Sequence, residues 1–499
     1  MRWRRGHADD RGAPRRRLGM AMVVVCLVAL AAAAAGIPTR ATYGARTTAD
    51  EPQYLLTARS LADDGDLDIS DELESGRWRA FHEAELPQQT RPLPGGRRIS
   101  PHDPLLPVLL APAVAAGGWI AGKWALSLLA GALAALLVWT SVVRLAVATR
   151  TAVLVVGVLT ASVPLAPYGS QIYPELPAAV AVTAGIAALL APLRWTGIVT
   201  VAIVCCALPW FGIKYTPVAG VLGVVAVARL WSDRRRTAVA TLVAGLTLAG
   251  VAYLVAHQVL WTGWTAYASA DHFVDSGELG VIGFSPDYGA RTVRLAALLT
   301  ERSFGIAAWQ PAWLLTVPAL GALIRARPPG WAVLSSVLAA GWCTATFVAL
   351  TIAGWWFPGR QVVVVLPAAV LTLCWWLDRR RAQRAAFGVL GALGIASWLW
   401  LAVEASGGRL TLVVDLMGTT NPWYRAWRLV LPDFLDVTTA TWAFHGAWSA
   451  VLVVLLVAGW RSAASAPPAV SGARSARRTG TRSGGGARPG PRSRLGGGA

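Results

Sequence analysis

Long apolar segments recur along almost the whole chain and decide what it can fold into. A helix that crosses the hydrocarbon core of a bilayer needs about 20 apolar residues, and twelve segments approach that length. They cover residues 18–38, 119–143, 151–167, 175–193, 196–211, 214–231, 237–259, 303–324, 331–353, 360–377, 386–404 and 441–460. Only 14% of the 499 residues are charged, against about 25% in soluble proteins. The sequence therefore predicts an all-α, polytopic membrane protein with about twelve transmembrane helices.

The first apolar segment has two interpretations. Its Arg-rich start suits a cleaved signal peptide, but its apolar run is longer than the 7–15 residues of a typical signal-peptide core. We therefore expect an uncleaved helix that follows a basic cytoplasmic N-terminus, residues 1–17.

Arginine marks every second turn between the apolar segments. If the N-terminus is cytoplasmic, the turns on that side all carry arginine and lie at residues 144–150, 194, 234–236, 325–327 and 379–384. The opposite loops hold most of the acids, and the loop 39–118 alone carries 12 of the 26 Asp and Glu. The positive-inside rule thus predicts a multi-pass plasma-membrane protein with both termini in the cytoplasm and a long first extracytoplasmic loop.

The net charge of +19 does not indicate a nucleic-acid partner, because most of it lies at the two ends. Residues 1–20 hold seven Arg against two Asp, and residues 461–499 hold eight Arg and no acid. Such basic ends suit an anionic lipid surface. The Gly-, Ser- and Pro-rich composition of 461–499 predicts a disordered cytoplasmic tail. The membrane domain is accordingly expected to span 18–460.

An acidic pair, Asp50-Glu51, follows the first apolar segment by about ten residues. Pro52 comes next, and the residues from Tyr54 to Leu61 have the pattern of a short amphipathic helix. A carboxylate held near the membrane surface can accept a proton from an attacking hydroxyl. The same residues also suit a helix N-terminus, where acids and Pro are favoured. The two roles are compatible, and the spacing does not choose between them.

Four more motifs follow this pair in a fixed order. They are residues 100–107 (Ser-Pro-His-Asp-Pro-Leu-Leu-Pro), 173–177 (Tyr-Pro-Glu-Leu-Pro), 214–217 (Lys-Tyr-Thr-Pro) and the Arg-to-Pro stretch 360–367. Together with the acidic pair at the head of a long outer loop, this order resembles the glycosyltransferase C superfamily. The likeness covers about residues 20–380. It is strongest to the protein O-mannosyltransferases and the aminoarabinose transferases of lipid A.

The resemblance implies a membrane glycosyltransferase that uses a polyprenyl-phosphate sugar. In such an enzyme Asp50 is the catalytic carboxylate, and Glu51 orients the acceptor or supports Asp50. Lys214 and Arg360 hold the donor phosphate. The other substrate-binding candidates that the motifs supply are Tyr54, His102, Asp103, Tyr173 and Glu175. The sugar is expected to move to an unknown cell-envelope acceptor by an Asp-assisted inverting displacement on the extracytoplasmic face.

Three of these residues also have simpler interpretations. Lys214 can snorkel to the membrane interface, Arg360 can anchor a helix end there, and Glu175 can be an N-terminal helix acid. For the whole chain the alternative is a transporter or a flippase of lipid-linked sugars, since twelve spans are common in transporters. The two halves show no repeat and few intramembrane charges, which disfavours that alternative.

No pattern in the sequence defines a metal site. The Asp-rich stretch 63–68 resembles a calcium loop by density but lacks its Glu at the twelfth position, so we expect a solvated acidic turn. His102 and Asp103 do not suffice for a metal. A last group could approach a divalent ion but better suits a polar loop over the cavity; it comprises Asp271, His272, Asp275 and Glu278. We expect no metal ligands, although a divalent cofactor stays open.

Overall fold

The computed structural model describes residues 12–87, 89–266 and 287–464. These residues form helices and connecting turns, and they contain no strand, only three isolated bridges. The prediction of an all-α fold is confirmed. The tail 465–499, which holds most of the segment expected to be disordered, lies outside the described residues.

Nineteen α-helices follow one another along the described residues. They are α1 Gly12–Ala34, α2 Glu51–Asp63, α3 Ser70–Glu74, α4 Leu105–Trp139, α5 Thr149–Thr160, α6 Leu165–Tyr168, α7 Glu175–Leu189, α8 Trp195–Phe211, α9 Thr216–Ser232, α10 Arg236–Trp261, α11 Tyr288–Arg291, α12 Arg294–Thr300, α13 Ile306–Trp309, α14 Thr316–Ala326, α15 Trp331–Cys343, α16 Leu366–Asp378, α17 Arg381–Ser406, α18 Pro422–Trp427 and α19 Thr439–Ala464. Short 3-10 turns at Ile213–Tyr215 and Arg360–Val365 lead into α9 and α16.

Eight helical segments of the described chain are long and apolar enough to cross a membrane. They are Arg16–Ala34, Leu105–Arg144, Ile213–Ser232, Arg236–Trp261, Trp331–Val348, Arg360–Asp378, Arg381–Ser406 and Thr439–Ala463. Four shorter apolar helices lie at Thr149–Thr160, Glu175–Leu189, Trp195–Phe211 and Pro311–Ala326. Each of the twelve predicted segments overlaps one of these helices. The polytopic membrane fold is confirmed, and the count of twelve spans stays a prediction.

The segments differ strongly in how far they are buried. Within the segment Arg360–Asp378, 89% of the most apolar stretch is buried, against 6% for Thr439–Ala463. Both helices are apolar on every side. In a soluble protein such a helix would have to be buried, whereas in a bilayer its apolar side chains can contact lipid. The segment Arg360–Asp378 is thus the central helix of the bundle, and α19 is a peripheral helix whose apolar side chains can face lipid.

The first loop is more helical and more buried than its sequence predicts. Helix α4 begins at Leu105, before the predicted start at 119, and is broken at Gly117 and Gly118, where Gly118 has a φ of +62°. Helix α2, predicted as a short amphipathic helix, is buried along most of its length and packs against α4. The loop therefore folds against the bundle, and the start of α2 lies among the membrane segments.

Candidate active site

Three helical segments begin at the same place in the bundle. Glu175 is the first residue of α7, Lys214 lies in the 3-10 turn before α9, and Arg360 opens the turn before α16. Gly359, directly before Arg360, has a φ of +86°, and a Cβ there would lie 2.7 Å from Ile306. Glycine is therefore required at the turn that aims Arg360 inward.

Arg360 joins two carboxylates that are distant in sequence. Its Nη2 donates to Oδ2 of Asp50 at 2.5 Å and its Nε donates to Oε1 of Glu175 at 2.9 Å. The guanidinium lies over the ring of Tyr173, with 4.2 Å from its carbon to the ring centroid. The side chain is only 8% exposed. A buried, paired and stacked guanidinium does not behave as an interfacial anchor, so the geometry favours a role inside the site.

Asp50 lies directly before α2 but does not cap it. Within the described residues its carboxylate accepts no hydrogen bond from the first turn of the helix; it faces Arg360. Ala49, just before it, has a φ of +48°, a strained conformation for a residue with a side chain. Burial acts to raise the pKa of the Asp50 carboxyl, but the neighbouring positive charges and the Arg360 hydrogen bond together outweigh this, and the pKa falls to about 2. Asp50 is therefore held as a buried anion.

Glu175 places both cations of the site. Its Oε1 accepts from Lys214 Nζ at 2.7 Å as well as from Arg360 Nε. Its side chain is fully buried, and its Oε2 has no hydrogen-bond partner among the described residues. One carboxylate oxygen thus fixes an ammonium and a guanidinium side by side, an arrangement that a helix N-terminal acid alone would not need.

His102 completes the surroundings of Asp50. Its Nε2 lies 3.7 Å from Oδ1 of Asp50, and its ring stacks on Tyr54 with 4.9 Å between centroids. Burial lowers the pKa of His102 below its usual value, which favours the neutral imidazole. His102 can therefore donate or accept one hydrogen bond beside Asp50 without adding a second positive charge.

Asp103 belongs to a buried network that the sequence did not reveal. Its Oδ1 accepts from the Tyr253 hydroxyl at 2.9 Å and lies 2.7 Å from Nε2 of His257, while Oδ2 accepts from the backbone N–H of Ile213 at 3.2 Å. Both aromatic residues lie on α10. The signal that could have found His257 is an ionisable residue within an apolar segment, which is costly in a membrane unless it has a partner. Asp103 thereby fixes the turn that carries Lys214.

Glu51 points away from Asp50 and binds backbone. Its Oε2 accepts from the N–H of Thr48 at 2.9 Å, and its Oε1 accepts from the N–H of Ile172 at 2.6 Å. Among the described residues that line the large cavity, Glu51 is absent. Its geometry suits the supporting role that the resemblance implied, because it ties the start of α2 to the loop before Glu175.

A cavity of about 790 Å³ opens at this cluster. Of the predicted site residues it is lined by Asp50, Tyr54, His102, Asp103, Lys214 and Arg360. Tyr173 and Glu175, like Glu51, lie behind that wall. The remaining wall is largely apolar and includes Val218, Ala345, Val348, Trp356 and Val364. The cavity therefore joins a charged end to an apolar channel between α9, α15 and the segment that begins at Arg360.

Metal-ligand candidates gather elsewhere. Among the described residues, the one group of three or more His, Cys, Asp and Glu with closely spaced ligand atoms is Asp64, Asp71 and Glu72. The four loop residues considered above, Asp271, His272, Asp275 and Glu278, lie outside the described residues.

Comparison with known proteins gives one solved structure. No family model and no curated protein sequence matches the chain. The structure is similar to ArnT from Cupriavidus metallidurans bound to undecaprenyl phosphate, with 15% identity, a TM-score of 0.49, and coverage of 89% of this chain and 74% of that one. ArnT is a lipid A aminoarabinose transferase of the glycosyltransferase C class, the class that the order of the motifs resembles.

Proposed function

We propose that this chain is a membrane glycosyltransferase that moves a sugar from a polyprenyl phosphate to the hydroxyl of a cell-envelope acceptor. The observation that carries the proposal is the convergence of Asp50, Lys214 and Arg360 on one cavity. A base and two cations meet there at the end of an apolar channel. A lipid-linked phosphate sugar has the same division into a charged head and an apolar tail.

The reaction follows from the roles of these three groups. Asp50 accepts the proton of the acceptor hydroxyl, and the hydroxyl oxygen attacks the anomeric carbon from the side opposite the phosphate. The new glycosidic bond forms as the bond from carbon to phosphate oxygen breaks, and its electron pair leaves with the polyprenyl phosphate. Lys214 and Arg360 stabilise the charge that develops on that phosphate. The configuration at the anomeric carbon is inverted.

Donor binding also changes the basicity of Asp50. Without a ligand, Arg360 pairs with Asp50 and holds its pKa at about 2, so the carboxylate is a weak base. A phosphate in the cavity competes for the same guanidinium. Once Arg360 shares its charge with the donor, the pKa of Asp50 rises towards the range in which a carboxylate works as a general base. The base would thus be activated by the substrate.

The site is expected to face the extracytoplasmic side. Glu175, Lys214 and Arg360 stand at the beginnings of three segments, and the Arg-rich turns 194, 234–236 and 379–384 follow the ends of the same segments. The cavity therefore lies at the end of the bundle away from these basic turns. Because basic turns mark the cytoplasm, the acceptor approaches from outside.

The decisive experiment replaces Asp50 by asparagine. Asp50→Asn keeps the shape of the side chain but removes the proton acceptor, and general-base catalysis contributes about 10²–10⁴-fold. Turnover of a polyprenyl-phosphate sugar, measured in membranes that hold equal amounts of each variant, should fall by at least that order. Turnover near that of the wild type would refute the assigned base. If transfer is absent in the wild type while the lipid-linked sugar crosses the membrane, the chain is a flippase.

Glu51→Gln is the matched control. An amide can accept only one of the two backbone N–H groups that the Glu51 carboxylate now satisfies, so the yield of folded protein should drop. Turnover per folded molecule should fall much less than in Asp50→Asn. A larger loss per molecule in Glu51→Gln would exchange the roles of the two acids.

A further inference from the structure

Acidic residues crowd the connection between α2 and α3. From 63 to 74 the chain has seven Asp and Glu and no Lys or Arg. Three of these acids come together, because α2 ends just before Asp64 while Asp71 and Glu72 lie in the first turn of α3. Their ligand oxygens all lie within 4.8 Å of one another. This cluster is separate from the cavity described above.

Glu72 is the buried member of this cluster, and its side chain is 0% exposed. Neither of its carboxylate oxygens has a hydrogen-bond partner among the described residues. The nearest cation is Arg77, whose Nη1 lies 4.0 Å from Oε1 of Glu72 but is engaged by Asp63. A buried carboxyl without a hydrogen bond is costly, and this one lies next to two more acids. The one positive charge that the described residues place beside Glu72, on Arg77, is thus shared with Asp63.

The neighbouring acids already have hydrogen-bond or ion-pair partners within the chain. Asp63 pairs with Arg59 and Arg77. Asp66 accepts from the hydroxyl of Ser60, and Asp68 accepts from both the hydroxyl and the N–H of Ser70. These bonds shape the turn. They leave the carboxylates of Asp64, Asp71 and Glu72 to face one another.

We propose that Asp64, Asp71 and Glu72 bind one Ca²⁺ ion. Their donors are all carboxylate oxygens, which hard cations prefer. Because Ca²⁺ holds its ligands at about 2.3–2.6 Å, oxygens on opposite sides of its shell lie roughly 5 Å apart. Three oxygens within 4.8 Å of one another can therefore share this ion. Mg²⁺ needs a smaller and more regular shell. The exposed carboxylates of Asp64 and Asp71 leave room for water as the remaining ligands.

The ion would join the end of α2 to the start of α3. Helix α2 carries no basic residue in its last turn, so its C-terminal partial negative charge adds to the attraction for a cation. The other end of the same helix begins beside Asp50. The proposed ion would therefore brace the first loop without touching the cavity, and it does not depend on the proposed transfer reaction.

The test compares two variants of the full chain purified in detergent. Binding of radioactive ⁴⁵Ca²⁺ is measured for the wild type, Glu72→Gln and Glu74→Gln. Glu74 is an exposed acid on the same helix and serves as the matched control. The dissociation constant of the wild-type site should be about 10⁻⁴–10⁻³ M, as in extracellular modules. Glu72→Gln should weaken binding at least tenfold while Glu74→Gln binds like the wild type. Equal binding by the two variants, or none by the wild type, overturns the site.

Thermal unfolding gives a second, independent reading. In EGTA, Glu72→Gln removes a buried carboxyl that has no hydrogen-bond partner among the described residues, so the variant should be at least as stable as the wild type. In excess CaCl₂ the order should reverse, because only the wild type gains the binding free energy. An unchanged order in both solutions contradicts the proposal. An equal shift of the wild-type midpoint with MgCl₂ would overturn the choice of Ca²⁺.

Discussion

The cluster around Arg360 and the acidic cluster at the end of α2 both contain a fully buried glutamate, but they neutralise it differently. Glu175 accepts from two cations of the chain itself, Lys214 and Arg360. Glu72 faces two further acids and has no hydrogen-bond partner among the described residues. The first cluster can therefore form without a ligand, whereas the second, under the proposal above, is completed by a cation.

The comparison indicates how each cluster responds to its ligand. Under the proposed function, a phosphate entering the first cluster would compete with carboxylates for cations that are already paired, so its binding would exchange partners and free Asp50. A cation entering the second replaces nothing except water, so binding only adds stability. We expect the first cluster to control turnover and the second to control the stability of the loop.

Removing Arg360 should break the first cluster most severely. Arg360→Gln leaves Asp50 and Glu175 buried with a lost partner, and breaking a buried ion pair costs about 3–5 kcal/mol. The folded fraction, followed by size-exclusion chromatography of a fluorescent fusion, should fall sharply. The control is Arg409→Gln, because Arg409 is 65% exposed and lies 3.8 Å from Glu404. Equal folded fractions for the two variants would show that Arg360 is not a structural cation.

Lys214 should affect the donor more than the fold. Its side chain is 30% exposed to the cavity, and Glu175 keeps Arg360 when it is gone. Losing one charge-assisted contact costs about 1.5–3 kcal/mol, so Lys214→Ala should lower transfer roughly ten- to a hundredfold at limiting donor. Lys214→Arg should recover part of this, since a planar fork does not replace a compact ammonium. A loss that is the same at limiting and at saturating donor would place Lys214 outside donor binding.

The smallest expected effect is a difference in pH dependence between the two clusters. Burial and the neighbouring Asp71 raise the pKa of Glu72 to about 8. The folded chain therefore binds more protons than the unfolded chain between about pH 4.5 and 8, and in EGTA its stability should fall as the pH rises through that window. The pKa of Asp50 is lowered to about 2, so its contribution is complete above about pH 4 and is lost only below it.

Thermal midpoints between pH 5 and 8 measure this difference. The wild type and Glu74→Gln should show the decline in EGTA, and Glu72→Gln should not. Saturating Ca²⁺ should also flatten the wild-type curve. A decline that persists in Glu72→Gln would assign the titration to another group.

The helical architecture could be predicted because an apolar segment of about 20 residues by itself indicates a helix that can cross a membrane. The burial of the loop could not, since α2 has the pattern of a surface helix and is buried by packing against α4. The acidic stretch 63–68 was expected to be a solvated turn. The structure joins Asp64 of that stretch to Asp71 and Glu72, which spacing alone did not group.

In the candidate site, too, some features could be predicted from the sequence and others could not. Asp50, Lys214 and Arg360 could be selected from the resemblance, because Asp50 lies near the head of the long outer loop and Lys214 and Arg360 each begin an apolar segment. Their partners could not, since the chain separates Asp50 from Arg360 by 310 residues and Glu175 from Arg360 by 185. No local pattern encodes a contact at that distance.

The same separations have a consequence for biosynthesis. Arg360 leaves the ribosome long after Asp50 and Glu175 have been synthesised, so the nascent chain carries both acids without their shared cation. Membrane insertion of the segment that begins at Arg360 is therefore the event that completes the cluster. A chain that stops before this segment would keep both acids in a bundle that lacks its central helix. Such a chain should be a substrate of quality-control proteases. The cluster around Arg360 can therefore form only after more than two thirds of the 499 residues have been synthesised.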